Sequence, residues 1–243
     1  MNRSMNTKMS QSQSAELLNK ITLSPLTTDQ YVNESADKYQ IYLHHTAGSP
    51  NPYAVIHNWW QRTPARIATA FVIGGFPEFS TATWKDGDII QAFNSSKWAW
   101  HLGLATKHLA KGGSTKKSNT YLHKHSIGIE LCNWGWLTQT NRGFETYVKS
   151  VVPDSQVEEL AIPYRGYKYY HKYTDAQLDS VNSLLLFLCN KWKIPTQLQS
   201  SDIFSISPAA LQGVPGIWTH TSVRPDKTDC YPSPRLISLL ESL

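Results

Sequence analysis

Histidine and aspartate residues at three separate places in the chain could together hold a catalytic metal ion. His44 and His45 end one apolar segment, His220 follows another, and Asp229 lies nine positions after His220. A catalytic zinc takes three protein ligands and keeps one position open for water. The gap between His220 and Asp229 is too long for one face of a helix, so we expect a loop that folds back on itself.

Hydrolysis of an amide needs two further groups, and the sequence offers a candidate for each. Glu130 lies in an apolar segment, residues 126–131, where burial would raise the pKa of its carboxyl. Such a carboxyl could take a proton from water and pass it to the leaving amine. Lys227, two residues before Asp229, could stabilise the oxyanion of the tetrahedral intermediate.

Four short motifs contain the candidate site residues. They are Leu43-His44-His45-Thr46-Ala47-Gly48, Trp100-His101-Leu102-Gly103, Ser126-Ile127-Gly128-Ile129-Glu130-Leu131, and Thr219-His220 followed by Lys227-Thr228-Asp229. In these motifs, which span about 190 residues, the chain resembles the type 2 N-acetylmuramoyl-L-alanine amidases. That superfamily also holds the peptidoglycan recognition proteins and the phage lysozymes of the amidase kind.

The resemblance implies both a fold and a reaction. The fold class is α/β (α+β), a single domain with a central mixed β-sheet flanked by helices and with zinc in a surface groove. The reaction is hydrolysis of the amide between the lactyl group of N-acetylmuramic acid and the L-alanine of peptidoglycan. His44, His220 and Asp229 are implied as ligands of one Zn²⁺ ion, Glu130 as the water-activating acid, and Lys227 as the charge that stabilises the transition state.

The chain departs from the family pattern at two positions near this site. Some members carry a cysteine at the third ligand position, and Cys230 is adjacent to Asp229. The spacing of Lys227 and Asp229 matches the branch that also carries the glutamate, so Asp229 is preferred. Members without that glutamate often carry a tyrosine on the second strand. The matching position here is Thr69, which leaves Glu130 as the proton carrier.

Other residues near the motifs keep two interpretations each. His45 points to the opposite face of its strand from His44, because strand side chains alternate, and is interpreted as structural. His101 either contacts sugar or peptide at the groove rim or is a hydrogen-bonded histidine packed on tryptophans. Arg224 either holds the metal loop by ion pairing or contacts a carboxylate of the stem peptide. Trp59 is interpreted as a core residue.

The hydrophobic pattern predicts the elements that must position these residues. Strands are predicted at residues 39–44, 67–73, 89–93, 126–131 and 217–220, and helices at 52–62, 174–192 and 233–243. The second of these helices starts from a capping box that begins at Thr174. Because strands and helices alternate irregularly, we expect a mixed sheet flanked by helices.

The predicted domain organisation is simple. Residues 1–36 are polar and are expected to form a flexible N-terminal arm, with one short helix around residues 15–21. Residues 37–243 are expected to form the amidase domain, with insertions at 74–84 and 134–172. The second insertion is aromatic and is expected to be irregular.

Composition limits the partners and the compartment. The net charge is +5 and the pI is about 9.0, which favours anionic partners, but no motif of a nucleic-acid-binding class is present. Three cysteines do not suggest a disulfide framework.

We expect a monomer that binds peptidoglycan or a muropeptide and inserts into no membrane. Without an apolar signal segment, we expect synthesis in the cytoplasm and action on the wall after release or delivery by another factor.

Two rival functions remain. A non-catalytic module that recognises peptidoglycan would share the fold, but the expected mark of such members is a lost zinc ligand, and all three are present. A serine or cysteine hydrolase would carry a nucleophile motif, and none is recognisable. The biological role is expected to be that of a phage or prophage lytic enzyme, with a delivered toxin or a recycling enzyme as alternatives.

Overall fold

The chain forms two β-sheets and several helices that surround the first sheet. The computed structural model describes residues 9–77, 80–200 and 202–243. The central sheet contains β1 (Ile21–Leu23), β2 (Gln40–His45), β3 (Phe71–Ile73), β4 (Ile89–Gln91), β5 (Ser126–Leu131) and β11 (Gly216–Thr219), and the second sheet contains β6 (Trp136–Thr140), β7 (Gly143–Glu145), β8 (Val151–Val152), β9 (Val157–Tyr164) and β10 (Tyr167–His171).

The α-helices are α1 (Gln11–Lys20), α2 (Pro52–Ala54), α3 (Thr106–Leu109), α4 (Asn119–Lys124), α5 (Asp175–Trp192), α6 (Pro208–Leu211) and α7 (Pro234–Ser242). A π-helical segment, Val55–Trp59, continues α2 and is followed by a 3-10 turn, Trp60–Arg62; further 3-10 segments are Ala110–Thr115, Asp154–Gln156 and His220–Ser222. Within the described residues, no helix combines the length and the apolar composition needed to cross a membrane.

The central sheet is mixed, as predicted. Its strand order is β1-β4-β3-β5-β2-β11. Strands β3 and β4 are antiparallel, and the other neighbours are parallel. Every residue of β2 and of β5 is buried, as is usual for strands covered on both faces of a parallel sheet. The histidines and the glutamate in these strands are therefore buried polar groups that need partners.

Helix α5 covers this sheet, and its sequence signals are confirmed. The Thr174 hydroxyl accepts a hydrogen bond from the backbone N–H of Gln177, whose side chain in turn caps the backbone of Thr174. The apolar stripe along the helix, which includes Leu178, Val181 and Leu185, is buried. The helix thus fixes one face of the sheet that carries the candidate site.

Residues 9–36 belong to the predicted N-terminal arm, and the structure shows that they form helix α1, which overlaps the short helix predicted around residues 15–21, and strand β1. Whether the arm is flexible stays a prediction. Ser10 forms a capping box at the start of α1, and Leu17 on that helix is buried. Strand β1 then pairs in parallel with β4 at the edge of the central sheet. The pairing gives hydrogen-bond partners to backbone groups of β4 that would otherwise lack them. The composition of the segment does not reveal such a pairing. Residues 1–8, also part of that prediction, lie outside the described residues.

The segment 134–172 is also more regular than expected. Its strands form an antiparallel sheet in the order β8-β7-β6-β10-β9. A register shift between Tyr167 and Tyr169 interrupts the alternation that would have identified the strands from sequence. Whether this segment and residues 74–84 are insertions relative to the family stays a prediction, and residues 78 and 79 lie outside the described residues.

A buried lysine links the loops that lead to the candidate site. Lys38 is 1% exposed, and its Nζ donates hydrogen bonds to the carbonyls of Lys97 and Lys124 at 2.8 and 2.6 Å. Burial and then the nearby charge of Lys124 lower the pKa of Lys38 to about 7. The unfolded chain, in which a lysine has a pKa of about 10.4, therefore binds more protons between these two values.

Stability should consequently rise with pH across this window. Relative to a Lys38→Met variant, we expect the free energy of unfolding of the wild-type chain to increase by about 2 kcal/mol between pH 7.5 and 9.5. Urea titrations of both proteins at the two pH values measure this difference. Curves that shift in parallel for both proteins would contradict a depressed pKa at Lys38.

Candidate metal centre

Three adjacent parallel strands bring the predicted site residues to one edge of the central sheet. His44 near the end of β2 is directly opposite Glu130 in β5, and His220 immediately follows β11, which pairs with β2 on its other side. Side chains at paired positions of neighbouring strands project to the same face of a sheet. The carboxyl ends of such strands are the usual place for a ligand site.

Asp229 completes a compact cluster with the two histidines. Its Oδ2 lies 2.8 Å from Nδ1 of His220 and 3.3 Å from Nδ1 of His44. One ligand atom from each of the three residues lies within 4.8 Å of the others. The segment between His220 and Asp229 folds back, as the sequence predicted, and all three side chains are almost fully buried.

The protonation states of this cluster suit a bound cation. Burial lowers the pKa of His44 to about 4, so its imidazole is neutral at neutral pH. Burial by itself would raise the pKa of Asp229, but the His220 and His44 imidazoles beside it hold that pKa well below its ordinary value. A neutral imidazole and a carboxylate are the forms in which these side chains bind metals.

Hydrogen bonds behind the cluster orient both histidines. The Nε2 of His220 lies 3.0 Å from the carbonyl oxygen of Leu102 and therefore donates to it. The Nε2 of His44 lies 3.0 Å from Nδ1 of His101, whose Nε2 lies 2.8 Å from the Ser126 hydroxyl. That hydroxyl in turn donates to the backbone carbonyl of residue 123.

Only one direction of donation satisfies this chain of hydrogen bonds, because it ends on a carbonyl, which can only accept. His44 then carries its proton on Nε2, which leaves the lone pair of Nδ1 for a cation shared with Asp229. His220 presents Nδ1 in the same way. Metal-binding histidines typically donate their second ring N–H to such a partner, so His44, His220 and Asp229 would suit a catalytic zinc ion, which takes three protein ligands.

His101 lies behind His44, and both of its ring nitrogens are engaged within the protein. Of the two interpretations made from sequence, this geometry favours the hydrogen-bonded one. Gly128 makes room for the ring, because a Cβ at that position would lie 3.0 Å from Nδ1 of His101 and 2.6 Å from Thr69 Cγ2. A larger residue in place of Gly128 would therefore collide with Thr69 and His101.

A cavity of about 900 Å³ opens next to the cluster. The π-helical segment contributes Trp59, which is 44% exposed and is therefore not the core residue that the sequence suggested. The second sheet contributes Trp136 and Tyr167, whose rings stack with centroids 4.3 Å apart. The groove is thus bordered by aromatic side chains from two separate parts of the chain, and the sequence patterns did not identify the second of these.

Glu130 and Lys227 both line this cavity with the three cluster residues. Glu130 is 6% exposed, and burial together with the negative charge of Asp229 raises its pKa well above the ordinary value, although Lys227 opposes this. A buried carboxyl with a raised pKa is suited to proton transfer. The structure therefore brings together all five residues predicted to bind metal or catalyse hydrolysis.

Arg224 forms an ion pair within the loop that carries Asp229. Its guanidinium donates to both carboxylate oxygens of Asp226 and to the carbonyl of Gly103. The Asp226 hydrogen bond raises the pKa of Arg224 further. Of the two interpretations made from sequence, the structure provides direct contacts for the one in which Arg224 holds the loop.

His45 and Cys230 belong to a separate buried group. The Nδ1 of His45 lies 2.9 Å from the hydroxyl of Tyr173, in keeping with a structural role. Cys230 is fully buried beside the same tyrosine, and burial raises the pKa of its thiol well above the ordinary value. Metal binding by cysteine requires the thiolate, so Asp229 suits the third position better than Cys230 does.

Comparison with known proteins assigns most of the chain to one family. A profile of the N-acetylmuramoyl-L-alanine amidase family matches residues 37–234. No match to a curated protein sequence is significant.

Among solved structures, PlyL has 11% sequence identity and a TM-score of 0.49 over 91% of this chain and 95% of its own. A selenomethionine derivative of AmpD has 16% identity and a TM-score of 0.47 over 90% of this chain and 94% of its own. The endolysin N-acetylmuramoyl-L-alanine amidase LysCS from Clostridium intestinale has 15% identity and a TM-score of 0.42 over 86% of each chain.

Proposed function

The chain belongs to the N-acetylmuramoyl-L-alanine amidase family, and on that premise we propose that it is a zinc-dependent enzyme acting on peptidoglycan. It hydrolyses the amide between the lactyl group of N-acetylmuramic acid and L-alanine, with His44, His220 and Asp229 as ligands of one Zn²⁺ ion. The observation that carries this proposal is the convergence of these three side chains beside Glu130 in an open groove.

The chemistry that zinc supplies when bound is Lewis acidity, which makes water more acidic and polarises a carbonyl oxygen. The chain's own residues supply the remaining parts of the reaction. His101 and Leu102 hold the two imidazoles in the orientation described above. The groove then positions the scissile amide next to the metal ligands, so that attack on its carbonyl is effectively intramolecular.

Glu130 moves the proton in this proposal. Its carboxylate accepts a proton from the attacking water, and the resulting carboxylic acid donates that proton to the nitrogen of the departing L-alanine. The raised pKa makes the carboxylate a stronger base towards water, and the acid that results passes its proton to the nitrogen as the C–N bond breaks. Lys227, on the loop opposite, stabilises the negative charge on the carbonyl oxygen of the tetrahedral intermediate.

Zinc analysis combined with an assay for new amino groups separates this enzyme from a binding module. The purified chain should contain one zinc per molecule by elemental analysis, and its incubation with purified wall should expose the amino groups of L-alanine. A module that only recognises peptidoglycan would sediment with the wall and expose no amino groups. Binding without new amino groups, at full zinc occupancy, would therefore reject the enzymatic proposal.

His101 is proposed as a positioning residue, and its substitution should weaken zinc binding. In a His101→Leu variant the Nε2–H of His44 loses its acceptor in the chain that fixes the tautomer. Changes in such outer partners typically cost about 10- to 100-fold in metal affinity. Competition with a chromophoric chelator measures the zinc dissociation constant directly.

A matched control for this measurement is His125→Leu, because His125 lies at the end of α4 and bonds to the backbone carbonyl of Asp37 instead of the site. We expect the control to bind zinc like the wild-type chain. Equal zinc affinity in the wild-type chain and the His101→Leu variant would exclude the positioning role.

The role in the cell is proposed to be that of a phage-type lytic enzyme, which is made in the cytoplasm and reaches the wall through another factor. The net charge of +5 supports association with an anionic wall. A lytic enzyme should clear suspensions of intact wall, whereas a recycling enzyme should cleave soluble muropeptides and leave intact wall turbid. Turbidity measured in parallel with cleavage of soluble fragments distinguishes the two.

A further inference from the structure

A tight turn in the second sheet places an arginine over the groove. Arg165 and Gly166 connect β9 to β10, and both have positive φ angles, of 53° and 86°. This is the two-residue turn geometry whose twist suits antiparallel strands. The Arg165 side chain lines the same cavity as Lys227 and the three proposed metal ligands.

Arg165 has no acidic partner within the chain as far as the structure describes it, since no carboxylate of residues 9–77, 80–200 or 202–243 forms an ion pair with it. Its Nη1 donates to the carbonyl of Pro225 at 2.6 Å, and its guanidinium lies over the ring of Tyr164 at 5.4 Å. Its Nε is buried and has no hydrogen-bond acceptor. These contacts fix the side chain but leave its charge uncompensated.

Arg224 also lines the cavity, but its positive charge is compensated within the chain. Arg224 donates to both carboxylate oxygens of Asp226 and is neutralised by them. Arg165 is anchored to the same loop through Pro225, yet its charge remains open to a partner from outside the chain. An arginine presents a planar set of donors that matches a carboxylate in two parallel hydrogen bonds.

We propose that Arg165 binds a free carboxylate of the peptide stem and thereby determines which stems the enzyme accepts. This inference rests on the proposed amidase function, in which the scissile amide lies at the metal ligands and the stem extends from it along the groove. The stem carries free carboxylates, and the stacked pair Trp136 and Tyr167 borders the groove beside the arginine. A carboxylate there would pair with Arg165 next to an apolar wall, where screening by water is reduced.

The test uses two synthetic muramoyl tripeptides, one with its stem carboxylates free and one with them converted to carboxamides. Each is given to the zinc-loaded wild-type chain, to Arg165→Gln and to Lys168→Gln. Lys168 is a matched control on the same hairpin, since it pairs with Glu159 and does not line the cavity. Cleavage kinetics are measured for each pair, and equilibrium binding is measured in the Glu130→Ala background.

We expect the wild-type chain and Lys168→Gln to prefer the free acid by about 10- to 100-fold in KM, as a charge-assisted contact predicts. Arg165→Gln should lose this preference through a higher KM for the acid, with kcat and the amide substrate almost unchanged. A merely structural effect of the substitution would weaken both substrates equally. A preference that survives in Arg165→Gln, or that is missing from the wild-type chain, would overturn the inference.

The proposed function fails in a different way. If the wild-type chain cleaves neither compound, the amidase proposal is rejected, and the binding measurements then decide the role of Arg165 without it. Tighter binding of the acid that depends on Arg165 would still support the inference. Equal binding of both compounds would reject it.

Discussion

Replacing Glu130 with alanine should lower the rate of amide hydrolysis by about 10²- to 10⁴-fold while leaving one zinc bound per chain. Glu130 lies opposite His44 in the neighbouring strand but outside the cluster of three possible ligands. Its removal therefore takes away the proton carrier and leaves the ligand set complete. Cleavage of a muramoyl peptide, followed by chromatography of the products, gives the rate.

Glu130→Gln is the matched variant, because it keeps the shape of the side chain and removes only its ability to carry a proton. It should be as inactive as Glu130→Ala and should hold zinc as firmly as the wild-type chain. Hydrolysis that persists near the wild-type rate in either variant would assign the proton transfer to another group. Loss of zinc from both variants would instead place Glu130 among the ligands.

Replacing Asp229 with alanine should abolish both zinc binding and hydrolysis. Its carboxylate oxygen lies within 3.3 Å of the Nδ1 atoms of both His44 and His220, and two imidazoles alone leave the site without its only anionic ligand. Because changes in outer partners already cost about 10- to 100-fold in metal affinity, loss of a direct ligand should cost more than that. Elemental analysis after dialysis against zinc-free buffer measures the loss.

Cys230→Ser is the matched control for Asp229→Ala, since it alters the adjacent side chain by one atom. Cys230 lies beside Tyr173, so its replacement should leave the zinc content at one per chain. If Cys230→Ser loses zinc and Asp229→Ala keeps it, the third ligand is the cysteine and the assignment is wrong by one position. Circular dichroism of both variants shows whether either change unfolds the domain.

Part of the candidate site could be predicted because His44 and Glu130 lie on two of the most regular elements. Strands β2 and β5 are fully buried, so titratable side chains within them are few, and His44, His45 and Glu130 stand out for that reason. Helix α5 carries both a capping box and a continuous apolar stripe. Local signals and tertiary packing agree in these elements, which makes their sequences interpretable.

The features that the sequence did not reveal depend on contacts between distant segments. Strand β1 is held by pairing with β4, and no local pattern in a segment of three residues predicts such a pairing. Hydrogen bonds to His44 and Ser126 determine the role of His101, although these residues are far apart in sequence. Arg165 lines the groove because the second sheet borders it, and the register shift between β9 and β10 interrupts the pattern that would identify that sheet from sequence.

Mass spectrometry of the products from purified peptidoglycan, with and without a zinc chelator, shows which bond is cut and whether the cut needs zinc. The expected products are stem peptides that begin with a free L-alanine amino group and glycan strands whose muramic acid residues carry a free lactyl carboxylate. Both products should disappear with the chelator and return when zinc is added back. Stem peptides that remain attached to muramic acid at full zinc occupancy, or release that continues in the zinc-free protein, would contradict the proposed function.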